Sequence, residues 1–190
     1  MPTLTTAVLK DGRAVTVRPI DPGDAGLLVE LHGRLSPRTR ELRFHGPKPR
    51  LLPWEAEYLA RADPGAHVAL VATVVEEGIE RIVADGRIEK DGGSGDVALL
   101  VRDDYQGAGL GRILLDQLLE AAPHLGVERL SFLVLPQNQG MLRLAERAGA
   151  TRTGSDGGAA VLVARTCARH RPPNGPRSGH DGAFGGGHRR

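Results

Sequence analysis

The chain of 190 residues carries 25 basic and 23 acidic residues with only 3% aromatic side chains, a length that suits one domain with a sizeable core rather than two. Its single cysteine, Cys167, excludes an internal disulfide or a zinc-type cysteine cluster, and no apolar run reaches the roughly 20 residues of a membrane span, so a soluble, metal-free cytoplasmic protein is expected. Six arginines fall in residues 165–190 against Asp181 alone, leaving 19 basic and 22 acidic residues ahead of them, so the folded part lacks the basic, aromatic-interleaved surface of a nucleic-acid binder.

In chain order, residues 1–14 read as an N-terminal extension without the basic start of a signal peptide. Val15 to Arg18 reads as a strand. Asp21-Pro22-Gly23-Asp24 then opens a helix with an N-cap, a first-turn proline and an early acid, and Leu27, Leu28, Leu31 and Leu35 give it an apolar stripe. Ser36-Pro37 ends that helix or begins a short further turn, and a basic, Pro-containing stretch from Arg38 to Pro49 follows. Pro53-Trp54-Glu55 opens a second helix through about Ala62, with Trp54, Tyr58 and Leu59 as core contacts. His67 to Val75 and Arg81 to Lys90 form a hairpin, and Val97 to Val101 reads as a buried strand. Leu110, Ile113, Leu114, Gln117, Leu118 and Ala121 share one face of a helix, and Leu130 to Leu135 is another buried strand. Met141, Leu142 and Ala145 mark a short helix stopped by Gly149, and Ala159 to Val163 is the last strand. Strand, helix and strand from Val97 to Leu135 imply a parallel pair in an otherwise largely antiparallel sheet, an α/β fold of the α+β kind over residues 15–168. Residues 169–190 are Gly, Pro, Arg and His with almost no apolar residues, and read as a disordered tail whose irregularly spaced histidines form no metal site.

Between the buried strand and the helix lies Gln106-Gly107-Ala108-Gly109-Leu110-Gly111. A helix N-terminus attracts phosphate, and glycines let a ligand approach its backbone N–H groups. The lysine and Ser/Thr of a Walker A loop and the spacing of a Rossmann turn are both absent, so neither ATP nor NAD is supported. Arg102 and Arg112 stand beside this turn as phosphate partners or as solvated surface residues.

The segment resembles the pyrophosphate loop of the GNAT superfamily of N-acetyltransferases, Gln/Arg-x-x-Gly-x-Gly/Ala, at Gln106, Gly109 and Gly111. Val97 to Asp104, Leu110 to Ala122, Leu130 to Leu135 with Asn138, and Met141 to Ala150 are similar to the family's fourth strand, third helix, fifth strand and last helix. Val17-Arg18-Pro19-Ile20, Leu35-Ser36-Pro37 and Leu42-Arg43-Phe44 resemble bacterial protein-lysine acetyltransferases that modify acyl-CoA synthetases. The resemblance implies acetyl-CoA as co-substrate, held by Gln106, Gly107, Ala108, Gly109, Leu110, Gly111 and Arg112. It implies a backbone N–H near Leu99, Leu100 and Val101 on the thioester carbonyl, and Asn138 on the pantetheine arm or else only capping the next helix. It puts Asp96 at the subgroup's catalytic glutamate, with Glu89 in reserve, and Ala145 at the position of a tyrosine acid found in many members. The acceptor is then a protein lysine, with a small amine, or an acyl-CoA sensor with little turnover, as the alternatives.

Overall fold

One mixed sheet runs through the protein in the strand order β1-β2-β3-β4-β5-β6-β8-β7; the computed structural model describes residues 4–61, 63 and 65–166. Its strands are β1 (Thr5–Val8), β2 (Ala14–Pro19), β3 (His67–Glu76), β4 (Ile79–Asp91), β5 (Ser94–Val101), β6 (Arg129–Val134), β7 (Thr151–Asp156) and β8 (Ala159–Arg165). The helices are α1 (Ala25–Gly33), α2 (Pro37–Phe44), α3 (Pro53–Ala60), α4 (Leu110–Ala121) and α5 (Gln139–Arg147). All neighbouring strands are antiparallel except β5 and β6, which α4 connects as a parallel crossover.

Successive residues of a strand point to opposite faces, and β3 is apolar on both. Leu70 and Ala72 join Leu110, Leu114 and Leu118 of α4 in one core, whereas Ala69 and Val71 join Leu28 and Leu31 of α1 and Ala56 of α3 in another. The sheet is therefore sandwiched between α4 on one side and α1 with α3 on the other.

Several sequence expectations change. Residues 5–8, assigned to an extension, are β1, paired with β2 from Thr5↔Val17 to Val8↔Ala14. The basic stretch after Ser36 is a full helix, α2, because the Ser36 hydroxyl caps it by accepting from the Thr39 N–H at 3.1 Å and Pro37 occupies its first turn. The α3 helix ends at Ala60, and Ala62 lies outside the described residues. Trp54 and Tyr58 on α3 are 64% and 61% exposed rather than core contacts; Leu59 packs against the α1 side. β7 carries no apolar residue and owes its place to pairing with β8, so it had no hydrophobic signal to read. Cys167 and the 169–190 tail lie outside the described residues.

Candidate active site

Parallel pairing of β5 with β6 is confined to Ser94↔Arg129, Gly95↔Leu130 and Asp96↔Ser131. On its other edge β5 stays paired with β4 as far as Val101. Beyond Asp96 the two parallel strands part, and the wedge between them opens into a cleft of about 450 Å³ lined by Val97, Ala98 and Leu99 of β5 and Ser131 and Leu133 of β6. Backbone groups of β5 that face the wedge lack a strand neighbour there and are left for a ligand.

Asp96 sits at the apex of this wedge. Its cross-strand partner on β4 is Glu89, so the two carboxylates share a face; both are exposed and both line the cleft. Strand alternation puts Arg87 on the same face, where its guanidinium bonds Asp85 at 2.8 and 3.3 Å and the Leu59 carbonyl at 3.3 Å. Leu42 and Arg43 of α2 lean over the cleft, and His45 lines it from the left-handed cap of that helix, with φ 56°. Asn138 lines the cleft too, while its Oδ1 accepts from the Met141 N–H at 3.1 Å and caps α5. Asp96, Glu89, Leu99 and Asn138 are thus brought together at one cleft. Leu100 is turned into the α1-side core, and the Val101 carbonyl accepts a bond from the Gln106 amide at 3.0 Å. Arg43, His45, Arg87 and Ser131 went unread. A signal existed for Arg87: Asp85, Arg87 and Glu89 alternate in an apolar strand, which aligns three charges on one face.

The glycine-rich turn lies at the far end of β5, with Val101 roughly 17 Å along the strand from Asp96 at about 3.3 Å per residue. Gly107 and Gly109 adopt φ of 78° and 96°, backbone that a side chain would strain, and Gly109 is the residue at which α4 begins. The first N–H groups of α4 have no acceptor within the helix and so present donors and positive partial charge. Arg112 on the first turn is exposed, with Asp116 at 3.4 Å. Arg102 does not serve this turn: it is 7% exposed and bonds Asp104 at 2.7 and 2.9 Å and Glu76 at 2.5 Å.

Two props hold the turn from elsewhere in the chain. The Lys10 N–H donates to the Ala108 carbonyl at 3.0 Å, and Arg13 donates to the Asp104 carbonyl at 2.8 Å while stacking over Tyr105. On the other side the Asp103 carboxylate accepts from the Ser36 N–H, the Ser36 hydroxyl and the Thr39 hydroxyl at 2.9, 2.6 and 2.7 Å, and the Gln106 amide donates to the Thr39 hydroxyl at 3.1 Å. Burial alone would raise the Asp103 carboxyl, but these hydrogen bonds outweigh it and hold it below its ordinary value. The Gln106 side chain is therefore engaged in shaping the turn, and α2 is fastened to it. Among the described residues no group of three or more His, Cys, Asp or Glu is arranged to hold a metal ion, and no helix is long and apolar enough to cross a membrane.

Known proteins share this arrangement. The acetyltransferase Pat of Mycolicibacterium smegmatis is 32% identical over 148 residues, covering 75% of this chain but 43% of its own length; the chain thus spans under half of that relative. Acetyltransferase PA5475 of Pseudomonas aeruginosa is 34% identical over 124 residues, covering 64% of this chain and 67% of its own. The crystal structure of the GNAT domain of S. lividans PAT superposes with a TM-score of 0.78 at 30% identity, covering 85% of this chain and 96% of that one. The acetyltransferase (GNAT) family pattern matches residues 30–150, which include α2, the wedge, the glycine-rich turn and α5. On these grounds the chain belongs to the acetyltransferase (GNAT) family.

Proposed function

We propose that the protein transfers the acetyl group of acetyl-CoA to a primary amine, a lysine side chain of an acceptor protein such as an acyl-CoA synthetase. The observation that carries this reading is the wedge between β5 and β6, with a carboxylate pair at its apex and a phosphate-type helix start at the far end of the same strand. The pyrophosphate of the coenzyme takes backbone N–H groups of the Gln106 to Gly111 turn with Arg112 beside them, the Gln106 N–H itself being held by the Asp103 carbonyl at 3.2 Å. The pantetheine arm lies along the unpaired edge of β5 near Leu99 to Val101 and reaches Asn138.

An ammonium group of reference pKa about 10.4 cannot attack a thioester until it loses a proton. Asp96, directly or through a water, takes that proton, with Glu89 beside it as the alternative base. The amine nitrogen bonds to the acetyl carbonyl carbon, a β5 backbone N–H carries the charge developing on the carbonyl oxygen, and the carbon–sulfur bond breaks while the nitrogen's second proton passes to the departing thiolate or to water. The departing thiolate, with a reference pKa of about 8.5, is a good leaving group without a general acid. This suits position 145, a fully buried alanine where the family resemblance would place the tyrosine acid of many GNAT members. Localisation in the cytoplasm, where acetyl-CoA and reduced thiols coexist, accords with the lone cysteine.

The test is incubation with isotopically labelled acetyl-CoA and an acyl-CoA synthetase, read by mass spectrometry of lysines. Label on one or a few lysines, absent without the enzyme, is expected. Label confined to small amines in a parallel acceptor screen would replace protein lysine with a small-molecule acceptor.

A further inference from the structure

Arg87 on the cleft is answered within the fold by Asp85, and Arg102 on its flank by Asp104 and Glu76, although the Arg102 Nη1 is itself left without a partner. Arg43 is not answered. Its Nε is buried with no acceptor, and among the described residues its guanidinium makes no hydrogen bond or ion pair. Its contact is the ring of Phe44, 5.2 Å away, which offers no lone pair to an N–H. Burial presses the Arg43 guanidinium below the ordinary arginine value, opposed by Asp85 and, more weakly, by Glu89. Arginine nevertheless stays protonated in proteins, so α2 holds at the cleft a half-buried guanidinium whose Nε is sealed from water without an acceptor. Asp85 of β4, the acid that acts on it most strongly, is already committed to Arg87.

The cleft is thus bipolar. Glu89 and Asp96 form its acidic end, on the strands, and Arg43 its cationic end, on the helix that roofs it. An amine arriving at the carboxylate pair meets Arg43 with whatever lies beside the amine.

Resting on the reading of this cleft as the acceptor site, we infer that the acceptor carries a carboxylate close to its reactive amine and that Arg43 receives it. In a protein acceptor this is an aspartate or glutamate next to the target lysine; in a free amine it is an amino-acid carboxylate. A guanidinium accepts either by two parallel N–H···O bonds, which a lysine cannot reproduce.

The test compares kcat/KM for matched acceptors: lysine peptides with glutamate or glutamine immediately before the lysine, and free lysine against its methyl ester. Wild type should favour the carboxylate member of at least one pair by about tenfold or more, and which pair responds identifies the source. In Arg43→Met the ratio should fall to near one with acetyl-CoA affinity unchanged, and Arg43→Lys should retain an intermediate preference. Thermal stability of Arg43→Met should stay close to wild type, since no hydrogen bond or ion pair within the described fold is lost; a merely structural arginine would instead lower both stability and activity toward all acceptors alike. Equal use of both members of each pair by wild type overturns the inference while leaving acetyl transfer standing. A preference for succinyl-CoA over acetyl-CoA that Arg43→Met abolishes also overturns it, by moving the carboxylate to the donor. No transfer to any amine by a protein that binds acetyl-CoA defeats the underlying reading and the inference with it.

Discussion

Asp96 stands where β5 leaves β6, with Glu89 across the ladder, so either carboxylate can reach an amine laid in the wedge. If Asp96 is the base, Asp96→Asn should lower the transfer rate about 10²–10⁴-fold, the range for one general base, with acetyl-CoA affinity nearly unchanged. Asp96→Glu should keep activity. Glu89→Gln measured beside it decides between the two: a wild-type rate in Asp96→Asn with a large loss in Glu89→Gln hands the role to Glu89. A second residue-scale prediction concerns acid stability. Asp24 is buried, which raises its carboxyl, but the Arg18 guanidinium at 2.7 and 2.8 Å and the Asp21 N–H outweigh this and hold it below the ordinary aspartate value. A depressed folded value means its contribution is present above about pH 4 and is lost as pH falls through that value. Urea midpoints from pH 6 to pH 2 should therefore fall more steeply for wild type than for Asp24→Asn, and parallel curves would remove Asp24 from acid unfolding. At this scale a strand position is legible in the sequence, so that Asp96 and Glu89 could be placed on neighbouring strands, whereas a side chain's partners are not. Arg102 reads as either a phosphate partner or a solvated surface residue because Glu76, 26 residues away, is invisible as its counter-ion, and Arg43 reads only as part of a basic stretch and of the Leu42-Arg43-Phe44 motif because nothing local says that its helix lines a cleft.

The glycine-rich turn is an element shaped for ligand approach, with Gly107 and Gly109 both left-handed. A Cβ on Gly109 would meet only the Lys10 stem, at 3.7 Å, so space would admit a side chain while the backbone would be strained by roughly 1–2 kcal/mol. Gly109→Val should accordingly yield a folded protein with strongly weakened acetyl-CoA binding by calorimetry; unchanged affinity would move the coenzyme elsewhere. The β1–β2 turn props the same loop through the Lys10–Ala108 bond. Removing residues 1–10 should cost about 2–10-fold in acetyl-CoA affinity, the worth of one or so hydrogen bonds, and no loss would make the strand a dispensable edge. α4 and the central strands were legible because burial imposes their periodicity. β1, α2 and β7 were not: β1 is a short, mostly exposed edge, α2 is largely polar and rests on its cap, and β7 is wholly exposed.

For the molecule as a whole, parallel pairing broken after three residue pairs turns an otherwise continuous sheet into a cleft. The mixed strand order was readable from the strand-helix-strand pattern, whereas the point at which β5 and β6 part has no local signature. Thr166 closes the described chain with its N–H on the Glu128 carbonyl at 3.0 Å and its hydroxyl on the Val127 carbonyl at 2.7 Å. Truncation after Thr166 should leave acetyl-CoA affinity intact, since the residues beyond it carry few apolar side chains to bury; a large loss in a folded truncation would bring the tail into the site. The most direct test of the central claim is the initial rate of CoA thiol release from acetyl-CoA with a lysine-bearing acceptor, for wild type and Asp96→Asn. The account predicts saturable, acceptor-dependent release that keeps pace with acetyl-lysine formation and falls at least a hundredfold in the variant, provided Asp96 rather than Glu89 is the base. Tight acetyl-CoA binding without acceptor-dependent release would contradict it.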